Sequence, residues 1–81
     1  MRTFSPEHCR AARGLLGWTQ EELATAAKVS RSTIRNFECG RHELRRESER
    51  LLLNALERSG VRVLRDDLGG PGVRLSRRPP A

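Results

Sequence analysis

The segment "WTQEELATAAKVSRSTIRNFECG", residues 18–40, contains two helix starts eleven residues apart, at Thr19 and Ser30. Thr19 and Glu22 stand at capping-box spacing, in which hydroxyl and carboxylate reciprocally satisfy two backbone N–H groups that a first helical turn leaves unpaired. A helix therefore begins at Gln20. Ser30 caps a second helical pattern that closes on Gly40, and only "KVS" separates the two. Helices joined by so short a turn cross steeply. Leu23, Ala24 and Ala27 form the inner face of the first helix, Ile34 and Phe37 that of the second. Helical geometry then puts Ser32 and Asn36 nearly opposite Ile34 and Phe37, with Arg35 flanking and Arg31 and Thr33 fanning from the N-terminal end. The outer face is polar and basic.

Upstream, Ser5 followed by Pro6 reads as N-cap and first helical position, and Gly17 ends that helix in the left-handed conformation glycine tolerates. In all three helices the residue before the cap and the one five further on are apolar or thiol-bearing: Phe4 with Cys9, Trp18 with Leu23, Val29 with Ile34. This is hydrophobic-staple spacing. With Ala12 and Leu16 continuing the inner face of helix one, it predicts one shared core. A fourth helix is expected from roughly Glu47 to Ser59, with Leu52, Ala55 and Leu56 inward, a stop at Gly60 and no clear cap at its start. Beyond Gly60 the period becomes two: "VRVLR" and "VRLSR" flank the turn-forming "DDLGGPG", which predicts a β-hairpin. The glycine-rich turn is no phosphate loop, because neither a helix nor Gly-Lys-Ser/Thr follows it. The expected organisation is a helical domain over 1–60, a hairpin over 61–76 and a disordered tail over 77–81.

Eighty-one residues make one small domain, able to bury only about 60% of its unfolded surface, so support from a second chain is expected. Sixteen basic against ten acidic residues give a formal charge of +6, which points to a polyanion, either nucleic acid or an acidic membrane surface. Cys9 and Cys39 are too few for a disulfide framework, and both fall inside helical patterns, which reads as buried structural thiols in a reducing cytoplasm. No apolar run approaches a membrane span, and the N-terminus has no apolar core of the kind a signal peptide carries. Cys39-x-x-His42 is half of a zinc spacing, but the only other candidates are the adjacent His8 and Cys9, so neither metal nor cofactor is expected. Nucleophile, base and orienting acid are nowhere assembled, and so small a domain has little room for a substrate cavity. An enzyme is not expected.

"WTQEELATAAKVSRSTIRNFECG" resembles the helix-turn-helix of the lambda-repressor-like (XRE) family of bacterial and phage transcription regulators, and the resemblance extends from about Arg10 to Leu56. It is carried by an arginine seven residues before the glutamine of the "TQxxLA" element and by a glutamate followed shortly by glycine: Arg13, Gln20, Glu38 and Gly40. The chain departs from the family pattern twice. Lys28 stands where the turn usually has glycine, which implies a left-handed lysine at a cost of about 1 kcal/mol. The loop after helix three also lacks the common proline, leaving the path of residues 41–46 open. The resemblance implies a mainly α fold, a four-to-five-helix lambda-repressor-like domain with the C-terminal hairpin appended. It implies also that Arg13 and Glu38 bridge helix one to the end of helix three, and that Gln20 holds a phosphate, with Thr19 beside it.

The major groove admits a helix, and its base edges offer O6 and N7 of guanine to arginine and N6 and N7 of adenine to asparagine. Arg31, Ser32, Thr33, Arg35 and Asn36 are accordingly the expected base readers, and Arg41, Arg45 and Arg46 the expected phosphate contacts beside the flanking backbone. The expected function is sequence-specific binding of double-stranded DNA at a palindromic operator by a homodimer, with a recognition helix over about 31–39. Leu51, Leu52 and Leu53 cannot all face one core when successive residues are 100° apart. A dimer interface is therefore expected from Leu51 and Leu53 with Val61, Val63, Val73 and Leu75, the hairpins of two chains combining into one sheet. The alternatives are an antitoxin or anti-activator that uses the same scaffold to hold a protein partner, and a nonspecific RNA-binding module. The polar reading face favours the first reading.

Overall fold

A computed structural model describes residues 4–64 and 72–75 of the chain. In chain order the elements are α1 (Pro6–Leu16), α2 (Gln20–Ala27), α3 (Arg31–Glu38), α4 (Arg46–Arg58), β1 (Val61–Leu64) and β2 (Gly72–Leu75). The strands form one antiparallel sheet, with Val61 opposite Leu75, Arg62 opposite Arg74 and Val63 opposite Val73. Residues 66–71 of the expected turn (66–72) and the expected tail (77–81) lie outside the described residues.

Helix starts follow the caps. The side chains of Ser5, Thr19 and Ser30 accept from the backbone N–H of His8, Glu22 and Thr33. Glu22 returns the bond to the Thr19 N–H at 2.8 Å, completing its box. α1 ends at Gly17 with φ 70, and α2 ends at Lys28 with φ 62, a left-handed lysine whose N–H bonds the Ala24 carbonyl. α4 begins and ends one residue earlier than expected, and its N-cap Arg45 makes no side-chain capping bond. Without a cap, nothing local marked that boundary.

The helices enclose Phe4, Cys9, Ala12, Leu23, Ala24, Ala27, Ile34, Phe37, Leu52, Ala55, Leu56 and Val61. The rings of Phe4 and Phe37 stack at 5.7 Å, pinning the entry of α1 onto α3. Leu16, Trp18, Val29, Leu44, Leu53, Val63 and Val73 pack half-buried around that centre.

Two expectations are corrected. Val61 was assigned to a surface shared with a second chain, yet it is 1% exposed inside its own core, and Val63 and Val73 pack against the same core. The cause is Gly60, whose φ of 100 turns the chain back on α4, so that β1 lies against α4 and α1 and β2 against α1. Because side chains alternate across a strand, the valines face the helices and Arg62 and Arg74 face outward, exposed. Cys39 was expected to be buried, but it stands at the C-cap of α3, past the last inward position, and is exposed; Cys9 is buried.

Candidate nucleic-acid interface

α3 is fixed to its scaffold by a charge. Glu38 closes its inner face, with a side chain only 3% exposed, and meets Arg13 of α1 in a two-pronged pair, Nε to Oε2 at 2.9 Å and Nη2 to Oε1 at 2.8 Å. The planar guanidinium matches the carboxylate fork, a geometry no lysine reproduces. Gln20 adds a bond from Nε2 to Glu38 Oε1 at 3.0 Å, and the Cys9 thiol donates to the same carboxylate. Arg13 Nη1 reaches the Trp18 carbonyl at 3.1 Å, and Arg10 reaches the Glu38 carbonyl. One buried carboxylate thus ties α1, the α1–α2 connection, α2 and α3 together.

Burial alone would push the Glu38 carboxyl up, but the hydrogen bonds of Arg13, Cys9 and Gln20 outweigh it and hold the group below its ordinary range. Its hydrogen bond raises Arg13 against the opposing effect of burial. Cys9 is driven far above the usual thiol range, first by burial and then by the neighbouring carboxylate.

On the opposite side of α3, Arg31, Ser32 and Arg35 are exposed, and Thr33 and Asn36 are half-buried. The Ser30 cap gathers two of these, its hydroxyl lying 2.7 Å from that of Thr33 and 3.2 Å from that of Ser32. Asn36 spends only its backbone carbonyl, which accepts from the N–H groups of Arg41 and His42 at 2.8 and 3.2 Å; its side-chain amide has no partner among the described residues. Arg31 and Arg35 have no carboxylate within ion-pair distance among the described residues. The face is charged and fixed in place, its two hydroxyls engaged with Ser30 and its two guanidiniums and one amide without partners among the described residues.

The pair of hydrogen bonds that the Asn36 carbonyl accepts, with Gly40 at φ 79, folds the α3–α4 connection against α3. Ser32, Thr33 and Asn36 on one side and His42, Glu43, Arg45 and Ser48 on the other then line a polar cleft of about 420 Å³. Arg45 joins the outer face of α3 there, while Arg41 and Arg46 are exposed outside the cleft lining. Gln20 is half-buried, and its bond to Glu38 leaves the second amide hydrogen available, at the start of α2. Thr19 is engaged in its capping box, its hydroxyl 3.0 Å from the Glu22 N–H.

A family model described as helix-turn-helix matches residues 10–61, nearly two-thirds of the chain. The chain belongs to the lambda-repressor-like helix-turn-helix family. Among curated proteins none matches it. Membership makes α2 and α3 the motif pair and the protein a DNA-binding helix-turn-helix regulator. Among the described residues no helix is long and apolar enough to cross a membrane.

This helix-turn-helix chain also uses a residue that pattern reading passed over. His8 occupies the capping-box position three after Ser5, where glutamate or glutamine is usual, and is 5% exposed. Its Nδ1 accepts from the Ser5 N–H at 3.0 Å, so the other nitrogen carries the proton and donates to the Leu64 carbonyl at 3.2 Å. One imidazole thereby caps α1 and holds β1 to it. The spacing Ser-x-x-His was visible in the sequence; the link to Leu64, 56 residues away, was not.

Proposed function

We propose that this protein is a sequence-specific transcriptional regulator that binds a palindromic operator as a homodimer, with α3 in the major groove. The observation that carries the reading is the state of the α3 outer face: among the described residues, two arginines have no carboxylate partner and an asparagine amide has no bond, all on a helix whose other face is locked by Glu38. Guanine and adenine edges are the complements of those groups. Gln20, Arg41, Arg45 and Arg46 serve the phosphates, supplying register rather than sequence. Retardation of the chain's own upstream region against a random duplex tests the reading, followed by titration of single-base variants. Arg31→Ala and Asn36→Ala should each cost about 1–3 kcal/mol on the operator and relax one base position, whereas Arg45→Ala should weaken every duplex alike. Unchanged base preference in both reading-face variants would overturn the assignment.

A second copy is needed for an operator of two half-sites about one turn apart. Its contact is sought at Leu75 and Leu15, 44% and 42% exposed, together with the half-buried Leu51. The same side chains also favour a second reading, an antitoxin or anti-activator whose apolar surface takes another protein. Sedimentation of the full chain with and without DNA separates them. A dimer at micromolar concentration supports the regulator; a monomer that stays monomeric on operator DNA supports the other.

A further inference from the structure

One wall of the cleft beside α3 has a charge that turns on a single proton. The N–H groups of Arg41 and His42 both bond the Asn36 carbonyl, and of those two side chains only His42 lines the cleft. It stands there exposed, beside Glu43 and Arg45 and across from Ser32, Thr33 and Asn36. α3 brings two hydroxyls and an amide to the lining and α4 a hydroxyl, so neither helix adds a charge to it; Cys39, Arg41, Arg46 and Glu47 are exposed outside it. The formal charges of Glu43 and Arg45 cancel. The wall is therefore neutral while the imidazole is neutral and gains a net positive charge when it is protonated. Histidine is the residue type whose charge changes between about pH 5 and 8. Among the described residues the other imidazole is closed to this role, since both nitrogens of His8 are engaged, with Ser5 and Leu64.

We infer that the cleft seats a phosphodiester of bound DNA and that His42 contacts it as an imidazolium, so that binding takes up a proton at this position. This rests on the DNA-binding reading of α3. Placement comes from the backbone: the His42 N–H reaches the Asn36 carbonyl at 3.2 Å, which fixes the residue against the helix whose outer side chains form the facing wall. An imidazolium offers two N–H donors, and a negative charge close by favours the protonated form. The coupling is reciprocal, so a proton that DNA helps to bind helps in turn to bind DNA. Affinity rises as pH falls, and it does so for every duplex alike, because phosphates carry no sequence. Arg41, Arg45 and Arg46 keep their charge throughout that range and add no pH dependence of their own.

The test is fluorescence anisotropy on a random duplex and on the chain's own upstream region, over a range of salt, at about pH 5.5 and about pH 7.5. Wild type is compared with H42Q, which cannot take the charge, and with H42R, which never loses it. Wild type should bind both duplexes roughly three- to tenfold more tightly at the lower pH, with a log–log salt slope steeper there by about 0.9, one added contact. H42Q should show one affinity and the shallower slope at both pH values, and H42R one affinity and the steeper slope. The side chain is exposed and its backbone bond does not depend on it, so both variants should fold, which Trp18 fluorescence checks at each pH. A wild type indifferent to pH, or a folded H42Q that keeps the wild-type pH dependence, overturns the inference and leaves the α3 reading intact. A pH dependence seen on one duplex and not the other also overturns it. Failure of the wild type to bind any duplex removes the α3 reading, and this inference with it.

Discussion

The α2–α3 unit and the hairpin are built on opposite plans. In the first, each helix begins at a cap whose partner is three residues away, and the pair meets at a buried carboxylate held by two bonds from Arg13 and one from Gln20. In the second, two strands of four residues pair with each other but take their position from far away, through Val61 in the core and the carbonyl of Leu64 on His8. A part whose geometry must not vary is fixed by local signals plus one deep charge. A part appended to it borrows its order from long-range contacts.

The contrast breaks most severely at Arg13. Arg13→Ala strands a carboxylate that is 3% exposed, so stability should fall by about 3–5 kcal/mol in chemical denaturation. DNA binding should fail along with α3. If the loss were under about 1 kcal/mol, the pair would be worth no more than an exposed one. His8→Ala comes next, at about 1–3 kcal/mol, because it frees the Ser5 N–H and the Leu64 carbonyl together. Hydrogen exchange should then quicken at 61–64 while α2 and α3 stay protected. Equal loosening everywhere would show that the hairpin is not a separate dependent.

Acid sharpens the same comparison by a smaller effect. Glu38 is held below its ordinary range when folded, so the stability it contributes is present above about pH 4.3 and is lost as pH falls through its lower folded value. Glu38→Gln should flatten that part of the stability profile in acid titration, at the expense of the Arg13 pair at neutral pH. The smallest effect has the opposite sign. Lys28→Gly should stabilise the turn by about 1 kcal/mol, because glycine takes φ 62 without strain, with a matching rise in melting temperature.

Legibility in the sequence followed the same division. Thr19-x-x-Glu22, Ser30 and the staple residues placed the starts of α2 and α3 to the residue, because capping is a local interaction written within five positions; the end of α3, at Glu38, came one to two residues before the expected one. α4 slipped by one residue where Arg45 supplies no cap. The two strands followed from alternation, but their register and which way the valines would face did not: an inward face against the chain's own helices and a face for a second chain have the same pattern. Gly60 and His8 decided that, and neither acts through periodicity. At the interface, the outward residues of α3 could be read from helical spacing, whereas the folding of 41–45 over them depended on the Asn36 carbonyl.

The two thiols give this protein a built-in pair of clocks. Cys39 lies open at the end of α3, so an alkylating reagent meets it in the native state, and on the proposed docking of α3 bound DNA should slow that reaction. Cys9 is sealed in the core, donates to Glu38 and is held protonated by burial and by that carboxylate, so it reacts only from molecules that have opened. Mass spectrometry of a single labelling reaction would therefore resolve two steps, the first reporting access to the α3 terminus and the second the rate at which the Arg13–Glu38 junction comes apart.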